Sequence, residues 1–350
     1  MTTDNEKLFT LPKRRSKLWW QVPFLIFLVI GTFYIVRQQR STPFQKGQGF
    51  VFGTIYNVTY QYDKNLREEI EEELKRLDFV FSMFNDSSMV TKVNRGENPT
   101  LDETFVEVYD IATTVNRETE GAFDITVGPL VNAWGFGFKN EVMPGKAQVD
   151  SLLALVGMQK LTLDREKLRL TKSDERVTLD FSAIAKGYGS DCIASVLRKH
   201  GIENFMVEIG GEIVTAGVSP SRVPWRIGVT KPQEDSLQVN QELQTILNIT
   251  DKAMATSGNY RNFYYKGGRK YAHTIDPATG YPVQHSILSA TVVADQCAMA
   301  DAYSTAFMVM GMERTMKVLK AHPELMAYLI YTDEKGEYAV WHSEGLKTAE

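Results

Sequence analysis

The sequence has 350 residues, of which 43% are hydrophobic and 23% are charged. This composition excludes disordered and collagen-like chains, and the length leaves room for one large domain or two packed domains. The formal net charge of −4 offers no basic surface for nucleic acid, so we expect no nucleic-acid partner. Any anion that the chain binds must be held by a local site.

The first predicted element is an uncharged, apolar run over residues 18–36. A membrane span needs about 20 apolar residues, whereas the apolar region of a cleavable signal has about 7 to 15, so the length predicts one transmembrane anchor. A cleaved signal and a buried core helix are the alternatives. The basic residues Lys13, Arg14 and Arg15 place residues 1–17 in the cytoplasm. We therefore expect a single-pass protein of the inner membrane whose folded body lies on the periplasmic side.

Two cysteines are present, Cys192 and Cys297, and neither lies near the apolar run. An acylated cysteine is therefore excluded as the tether. Both lie in apolar stretches, where a buried thiol is the expected state, although an oxidising compartment would allow them to pair.

The folded body is predicted over residues 50–350, after a polar linker at 37–49. It opens with one alternating strand, VFGTIYNVTYQY, and a helix with apolar residues at helical spacing. Further helices are predicted at Glu103–Thr119, Asp191–Lys199 and Met299–Met310, and strands at FMVEI and WRIGV. Because strands and helices intermix without a regular βαβ rhythm, we predict a mixed α/β or α+β fold.

The segment LDFSAIAKGYG predicts a phosphate site at the start of a helix. Ser182 is a candidate N-cap, and a helix N-terminus combines unpaired N–H groups with positive potential. Lys186 in the first turn adds a full charge, and together these groups suit a pyrophosphate. The alternative is an ordinary capped helix with a solvated lysine.

The segment ADAYSTAF predicts part of a magnesium site. Asp301 and Thr305 lie one helical turn apart on one face, with Ser304 beside them. Mg²⁺ takes few protein oxygens and completes its shell with water and substrate phosphates. The alternative is an exposed aspartate and a threonine bonded to its own helix backbone.

Two polar residues in turn-rich segments are further candidates. His273, in HTIDPATGYPV, can exchange protons near neutral pH, and a purely structural histidine is the alternative. Asp124, in GAFDITVGPLVNAWGFG, can accept N–H donors from a flat ligand, and a buried capping aspartate is the alternative. The segment VEIGGEI predicts a hairpin whose glycines could line a pocket.

These segments together resemble one protein family. GAFDITVGPLVNAWGFG, LDFSAIAKGY, VEIGGEI, ATSGNYRN, HTIDPATGYPV and ADAYSTA stand in the order found in the FAD:protein FMN transferases of the ApbE family. The resemblance covers nearly everything after Gly49. It implies a two-part α/β body with FAD and Mg²⁺ in the cleft between the parts.

The resemblance also assigns roles to individual residues. The metal ligands it implies are Asp301, Thr305, Ser304 and the backbone carbonyl of Ala185. The contacts to FAD that it implies are Phe52, Phe84, Ser88, Asp124, Ser182, Lys186, His273 and Ile275, and His273 also matches the histidine implicated in transfer. The family usually carries Met-Gly-Thr and small-Thr-Tyr segments near the flavin, whereas this chain has Phe52-Gly53-Thr54 and Ser82-Met83-Phe84.

The activity implied by the resemblance is a Mg²⁺-dependent flavin transfer. FAD would be cleaved, FMN would be attached through a phosphoester to a threonine or serine of an acceptor protein, and AMP would leave. The acceptor class that the family suggests is a subunit of a membrane redox complex. The alternatives are an FAD pyrophosphatase, in which water replaces the acceptor hydroxyl, a flavin-binding protein without turnover, and a structural exported domain.

Overall fold

The largest sheet among the described residues has eight strands. The computed structural model describes residues 18–136, 143–232, 242–259, 263–266, 269–346 and 348. The helices are α1 (Leu18–Ser41), α2 (Arg67–Phe81), α3 (Met89–Asn94), α4 (Glu103–Glu118), α5 (Gly128–Ala133), α6 (Lys146–Leu153), α7 (Ala185–Lys199) and α8 (Cys297–Ala321), with a 3₁₀ turn at Met158–Lys160. The strands are β1 (Phe44–Val51), β2 (Thr54–Gln61), β3 (Leu161–Asp164), β4 (Arg169–Lys172), β5 (Phe205–Ile209), β6 (Glu212–Ala216), β7 (Trp225–Thr230), β8 (Leu243–Ile249), β9 (Ala253–Gly258), β10 (Phe263–Lys266), β11 (Arg269–Ala272), β12 (Ile287–Ala294), β13 (Met326–Thr332) and β14 (Tyr338–His342). The strand order in the large sheet is β1-β2-β5-β6-β9-β12-β13-β14, and each neighbouring pair in it is antiparallel.

Both faces of the large sheet are covered. On one face, α7 and α8 pack through a buried cluster that includes Ala290 and Val292 of β12. On the other face, the β7–β8 hairpin packs through Trp225 and Ile227 onto a cluster that includes Val293. Successive residues of a strand point to opposite faces, so β12 is apolar on both sides. The mixed α+β fold predicted from the sequence is confirmed.

The two-part body implied by the resemblance stays a prediction. Residues 44–350 form one compact unit, and residues 1–43 form another. The large sheet runs without interruption from β1 to β14 within the unit of residues 44–350. Any cleft that serves a ligand therefore lies within this unit.

The N-terminal apolar run is helical, and α1 covers it. Across the described residues, no helix has the length and the apolar character that crossing a membrane requires. The span predicted over residues 18–36 is therefore not supported, and the cytoplasmic segment predicted over 1–17 lies outside the described residues.

The linker predicted over residues 37–49 is wrong in its bounds. Helix α1 continues to Ser41, and β1 already begins at Phe44. This edge strand is paired with β2 from Phe44 opposite Gln61 to Val51 opposite Thr54. Its residues are mostly half-buried or exposed, so backbone pairing defines the strand and no apolar alternation reveals it in the sequence.

The single strand predicted over VFGTIYNVTYQY is a hairpin, because Phe52 and Gly53 both have positive φ, at 51° and 74°.

The boundaries of α7 also differ from the prediction. The helix starts at Ala185, six residues before the predicted Asp191, because two glycines in AKGYG weaken the helical signal. Its N-cap residue is Ile184, which makes no side-chain capping bond. Ser182 is exposed and precedes the helix, so the prediction that it is the N-cap is wrong.

Helix α8 is broken where the sequence predicts its end. Gly311 has φ 72° and ψ 175°, outside the helical region, and the helix resumes after it to Ala321. The His285 ring contacts this break: its Nε2 lies 2.6 Å from the Met308 carbonyl oxygen, and its Nδ1 accepts a hydrogen bond of 3.2 Å from the Ile287 N–H. Both contacts require the neutral ring with its proton on Nε2.

Protonation of His285 is therefore expected to destabilise the fold. Burial lowers the pKa of His285, although its hydrogen bonds to the Met308 and Val309 backbone and the charge of Asp276 oppose this shift. Because the unfolded chain binds the proton first, the free energy of unfolding should fall as the pH drops below about 6.5. Urea unfolding of the wild-type chain and of His285→Gln between pH 8 and pH 5 measures this contribution. Equal pH dependence of the two chains would contradict it.

Candidate active site

A cavity of about 600 Å³ opens where the first turn of α7 and the face of α8 that carries Asp301, Thr305 and Val309 meet the β5–β6 hairpin and the end of β9. Segments around residues 122–131 and 273–277 close its other side. The charged side chains that line it, apart from the titratable His273, are five carboxylates and one ammonium: Asp124, Asp180, Glu208, Glu212, Asp301 and Lys186. The cavity is therefore acidic, and a bound anion would need cations to balance that charge.

The two helices that meet at the cavity cap each other. Asp301 of α8 accepts a hydrogen bond of 3.0 Å from the Gly187 N–H in the first turn of α7. In return, Asp191 of α7 accepts hydrogen bonds of 2.9 Å from the Cys297 and Ala298 N–H groups that begin α8. Each carboxylate satisfies N–H groups that a helix start leaves unpaired. Asp301 is thus held at the cavity by the backbone of another helix.

Gly187 allows the helices to come this close. A Cβ atom at this position would lie 2.4 Å from the Cys297 carbonyl oxygen and 2.8 Å from the Asp301 Cβ. These distances are below any ordinary van der Waals contact, so a side chain cannot be added without moving α7 away from α8. Gly187 is therefore required for the position of Asp301.

Lys186 lies between two buried carboxylates. Its Nζ is 3.5 Å from Asp301 Oδ2 and 3.4 Å from Glu212 Oε1, and it donates a hydrogen bond of 3.1 Å to the Ser182 carbonyl oxygen. Burial disfavours the charged form, but the charges of Asp301 and Glu212 outweigh it, so the pKa of Lys186 is raised. Lys186 therefore stays an ammonium at neutral pH.

Hydroxyl groups lie beside Asp301. Ser257 at the end of β9 has its Oγ 2.9 Å from Ser304 Oγ and 3.2 Å from Thr305 Oγ1. Asp301 and Thr305 both line the cavity, one helical turn apart as predicted. Ser304 is fully buried, does not line the cavity, and donates to the Asp301 carbonyl oxygen of its own helix. Ala185, the fourth predicted ligand, is the buried first residue of α7.

The predicted FAD contacts Asp124, Ser182, Lys186, His273 and Ile275 all line the same cavity. The Asp124 carboxylate is already engaged, because it accepts hydrogen bonds from the Thr126 N–H and hydroxyl and from the Met158 N–H. Burial raises the pKa of Asp124, and these hydrogen bonds oppose the shift. Asp124 therefore holds two loops together at the cavity wall, as in the capping alternative.

His273 is half-buried at the cavity and meets the Phe136 ring edge-on, with centroids 6.4 Å apart. Two hydrogen bonds to residues distant in the sequence hold the segment that follows it. Thr274 donates to the Asn259 side-chain oxygen at 2.6 Å, and the Trp134 indole N–H donates to the Gly280 carbonyl at 2.8 Å. These contacts hold the segment after His273 against the rest of the protein beside the cavity.

Three predicted FAD contacts lie elsewhere. Phe52 and Phe84 line a second groove, and Phe84 is 78% exposed. Ser88 is fully buried, where its hydroxyl donates to the Ser82 carbonyl oxygen and accepts from the Thr91 N–H as the N-cap of α3. The hydroxyl of Ser88 is thus engaged within the protein, away from the cavity, and its contact with FAD stays a prediction.

Glu212 and Ser257 are cavity residues that the sequence reasoning missed. Glu212 follows the Gly210–Gly211 turn of the β5–β6 hairpin, and Ser257 is the next-to-last residue of β9. VEIGGEI indicated a hairpin near a pocket, and ATSGNYRN belonged to the series of motifs, but no spacing within either segment identifies a partner. Glu212 and Ser257 become candidates only when tertiary packing brings them to Lys186 and Thr305.

The donors at the cavity are chemically suited to a hard cation. Asp301, Thr305 and Ser257 offer oxygen atoms, which are the ligands that Mg²⁺ prefers. Among the described residues, no group of three or more His, Cys, Asp or Glu side chains is arranged to hold a metal ion. Cys192 and Cys297 are free thiols. These donors would fit a partial shell that water and substrate oxygens complete.

Comparison with known proteins identifies the family. The sequence model of the ApbE family matches residues 52–330. The chain belongs to the ApbE family. An FAD:protein FMN transferase of Vibrio cholerae serotype O1 is 38% identical over 297 residues, covering 82% of this chain and 87% of that protein. One from Haemophilus influenzae is 36% identical over 313 residues, covering 85% of this chain and 89% of that protein.

Solved structures of ApbE proteins share the fold. The flavin transferase ApbE from Vibrio cholerae superposes with a TM-score of 0.76 at 35% identity, covering 86% of this chain and 98% of that chain. The apo form of the Pseudomonas stutzeri flavinyl transferase ApbE gives a TM-score of 0.76 at 30% identity, covering 87% and 95%. The matches cover the unit that contains the cavity, so this ApbE chain shares the body of its relatives over nearly their whole length.

Proposed function

We propose that this chain is a Mg²⁺-dependent FAD:protein FMN transferase. It cleaves FAD, transfers the FMN part to a threonine or serine hydroxyl of an acceptor protein, and releases AMP. Membership of the ApbE family and the names of the relatives support flavin transfer. The observation that carries the proposal is the placement of Lys186, Asp301 and Thr305 at one acidic cavity beside the start of α7.

The acidic cavity explains why a cation is needed. A pyrophosphate brought among five carboxyl groups and one ammonium is repelled by those carboxyl groups that are ionised, even though burial raises the pKa of Glu212 and Asp124. Asp301, Thr305 and the carbonyl of Ala185 are the residues proposed to hold Mg²⁺, with Ser257 beside them. When bound, Mg²⁺ neutralises charge on the phosphate oxygens and favours attack at phosphorus. Lys186, held as an ammonium, supplies further positive charge to the same phosphates.

The bond changes follow from phosphoryl-transfer chemistry. The acceptor hydroxyl oxygen attacks the phosphorus on the FMN side, and the new oxygen–phosphorus bond forms as the bond to the AMP oxygen breaks. The hydroxyl proton passes to a base, for which His273 is the candidate at the cavity. The transfer depends mainly on positioning and electrostatic stabilisation, so the chain needs no strong nucleophile of its own.

Replacing His273 with asparagine should slow transfer about 100-fold, because a positioned proton acceptor contributes about 10²–10⁴ to such rates. FAD binding, measured by flavin fluorescence, should change little because Lys186, Asp301 and Thr305 remain. Raising the pH should restore part of the transfer rate of the variant, because the acceptor hydroxyl then loses its proton more readily without His273. A variant that transfers flavin at the wild-type rate would remove His273 from the mechanism.

A direct assay tests the proposed reaction. The purified chain is incubated with FAD, Mg²⁺ and a candidate acceptor protein, and a covalent fluorescent flavin band on the acceptor is expected, together with AMP. A hydrolase would release free FMN at the same rate with or without acceptor. A flavin-binding protein would leave FAD intact. Either of these two results would overturn the transferase proposal.

The location of the protein is proposed from the sequence. The basic residues before position 18 and the apolar run at 18–36 favour attachment at the inner membrane with the body on the periplasmic side. A membrane redox-complex subunit with an outward-facing threonine is the acceptor class consistent with that location. Protease added to intact spheroplasts should digest the body, and full protection would contradict this placement.

A further inference from the structure

Glu212 has an unused carboxylate oxygen beside the proposed cation site. The residue is 5% exposed and lines the cavity. Its Oε1 lies 3.4 Å from Lys186 Nζ, whereas its Oε2 is buried and has no hydrogen-bond partner among the described residues. A buried carboxylate oxygen without a donor is costly, so such an oxygen indicates that a donor or cation reaches it in another state of the site.

Lys186 and a divalent cation compete for Asp301. Lys186 Nζ lies 3.5 Å from Asp301 Oδ2, nearly the same distance as from Glu212 Oε1. With a divalent cation bound to Asp301, the cation and the Lys186 ammonium would share one carboxylate. Repulsion between these two positively charged groups would weaken cation binding. The ammonium therefore needs a second acceptor when the cation arrives.

We propose that Glu212 is a positioning residue that takes over the Lys186 ammonium, through both of its carboxylate oxygens, when a divalent cation binds Asp301. This frees Asp301 for the cation and keeps Lys186 next to the phosphates. The inference rests on the proposed cation site and adds to it a residue that does not itself contact the metal.

The local structure allows this movement. Glu212 begins β6, paired opposite Ile209 across the Gly210–Gly211 turn. The Ser190 hydroxyl donates to the Glu212 carbonyl oxygen at 2.9 Å and fixes the backbone. A Cβ at Gly210 would lie 3.3 Å from Lys186 Cδ, so the glycine leaves the lysine stem room to shift. The backbone of Glu212 is fixed while the side chain of Lys186 can move.

Cation binding by the full chain tests the inference directly. Mn²⁺ is titrated by electron paramagnetic resonance, without FAD and acceptor, and again with ADP as the pyrophosphate. Glu212→Gln should bind Mn²⁺ at least about 10-fold more weakly than the wild type, because the ammonium then has only Asp301 as a carboxylate partner. The matched control is Glu208→Gln on the same hairpin, whose carboxylate accepts from the Asn57 side chain and whose loss should change affinity by at most about 3-fold.

A double-mutant cycle separates this role from direct metal ligation. In a Lys186→Gln background, Glu212→Gln should lose most of its effect on Mn²⁺ affinity, since no ammonium remains to be moved. An undiminished effect in that background would mean that Glu212 binds the metal itself and would overturn the inference. Equal weakening by Glu208→Gln would do the same, because it would indicate a general effect of charge.

Two further controls keep the test decisive. Circular dichroism and thermal unfolding check that Glu212→Gln folds, and if it does not, Glu212→Asp replaces it, with an intermediate loss of affinity expected. Wild-type affinity for Mn²⁺ in Glu212→Asp, or no Mn²⁺ binding by the unmodified chain in either condition, would overturn the inference. Flavin transfer by the wild-type chain decides the proposed function independently.

Discussion

The double variant Asp301→Asn, Thr305→Ala is expected to lose flavin transfer by at least about 1000-fold. Asp301 is the buried carboxylate held at the cavity by the Gly187 N–H, and Thr305 presents its hydroxyl one turn further along the same helix. Removing one preorganised electrostatic group typically costs about 10²–10³ in rate, and the two changes remove both side-chain donors proposed for the cation. Covalent labelling of the acceptor at a range of Mg²⁺ concentrations measures the loss.

Glu313→Gln is the matched control for this double variant. Glu313 lies on the same helix, after the break at Gly311, and its carboxylate is 86% exposed in a pair with Lys317. Losing that carboxylate should leave labelling within about 2-fold of the wild type, because exposed ion pairs contribute little. Undiminished labelling by the double variant would remove Asp301 and Thr305 from the metal site.

Gly187→Ala should lower the free energy of unfolding by about 3 kcal/mol. The added methyl group would lie 2.4 Å from the Cys297 carbonyl oxygen, and that atom belongs to backbone that Asp191 also holds. Overpacking costs about 1–3 kcal/mol, and a clash with fixed backbone lies at the upper end of that range. Urea unfolding measures the loss of stability, and the same variant should transfer flavin poorly because Asp301 is displaced.

Gly47→Ala is the control for the glycine prediction. A Cβ at Gly47 meets no atom within 4 Å on the edge strand β1. The same change of residue type should therefore alter stability by less than about 1 kcal/mol. If Gly187→Ala were as stable as Gly47→Ala, the close contact between α7 and α8 would not constrain the site.

The sequence predicted local features well where a short-range rule applies. The helix predicted at Glu103–Thr119 ends one residue earlier in the structure, and Gly311 was correctly identified as the point where a helix breaks. Periodicity and glycine conformation are local properties, so they are visible without tertiary contacts. The same rules failed for β1, since an edge strand stabilised by backbone pairing carries no apolar alternation.

The sequence by itself determined the family, the helix that carries Asp301 and Thr305 on one face, and the lysine at the start of another helix. Helical spacing and the order of motifs are properties of the chain alone. Only the tertiary structure decided that Asp301 and Asp191 cap each other's helices, that Lys186 lies between Asp301 and Glu212, and that Ser88 serves a helix away from the cavity. These contacts join residues far apart in the sequence, and their energies depend on burial and distance, which no local pattern contains.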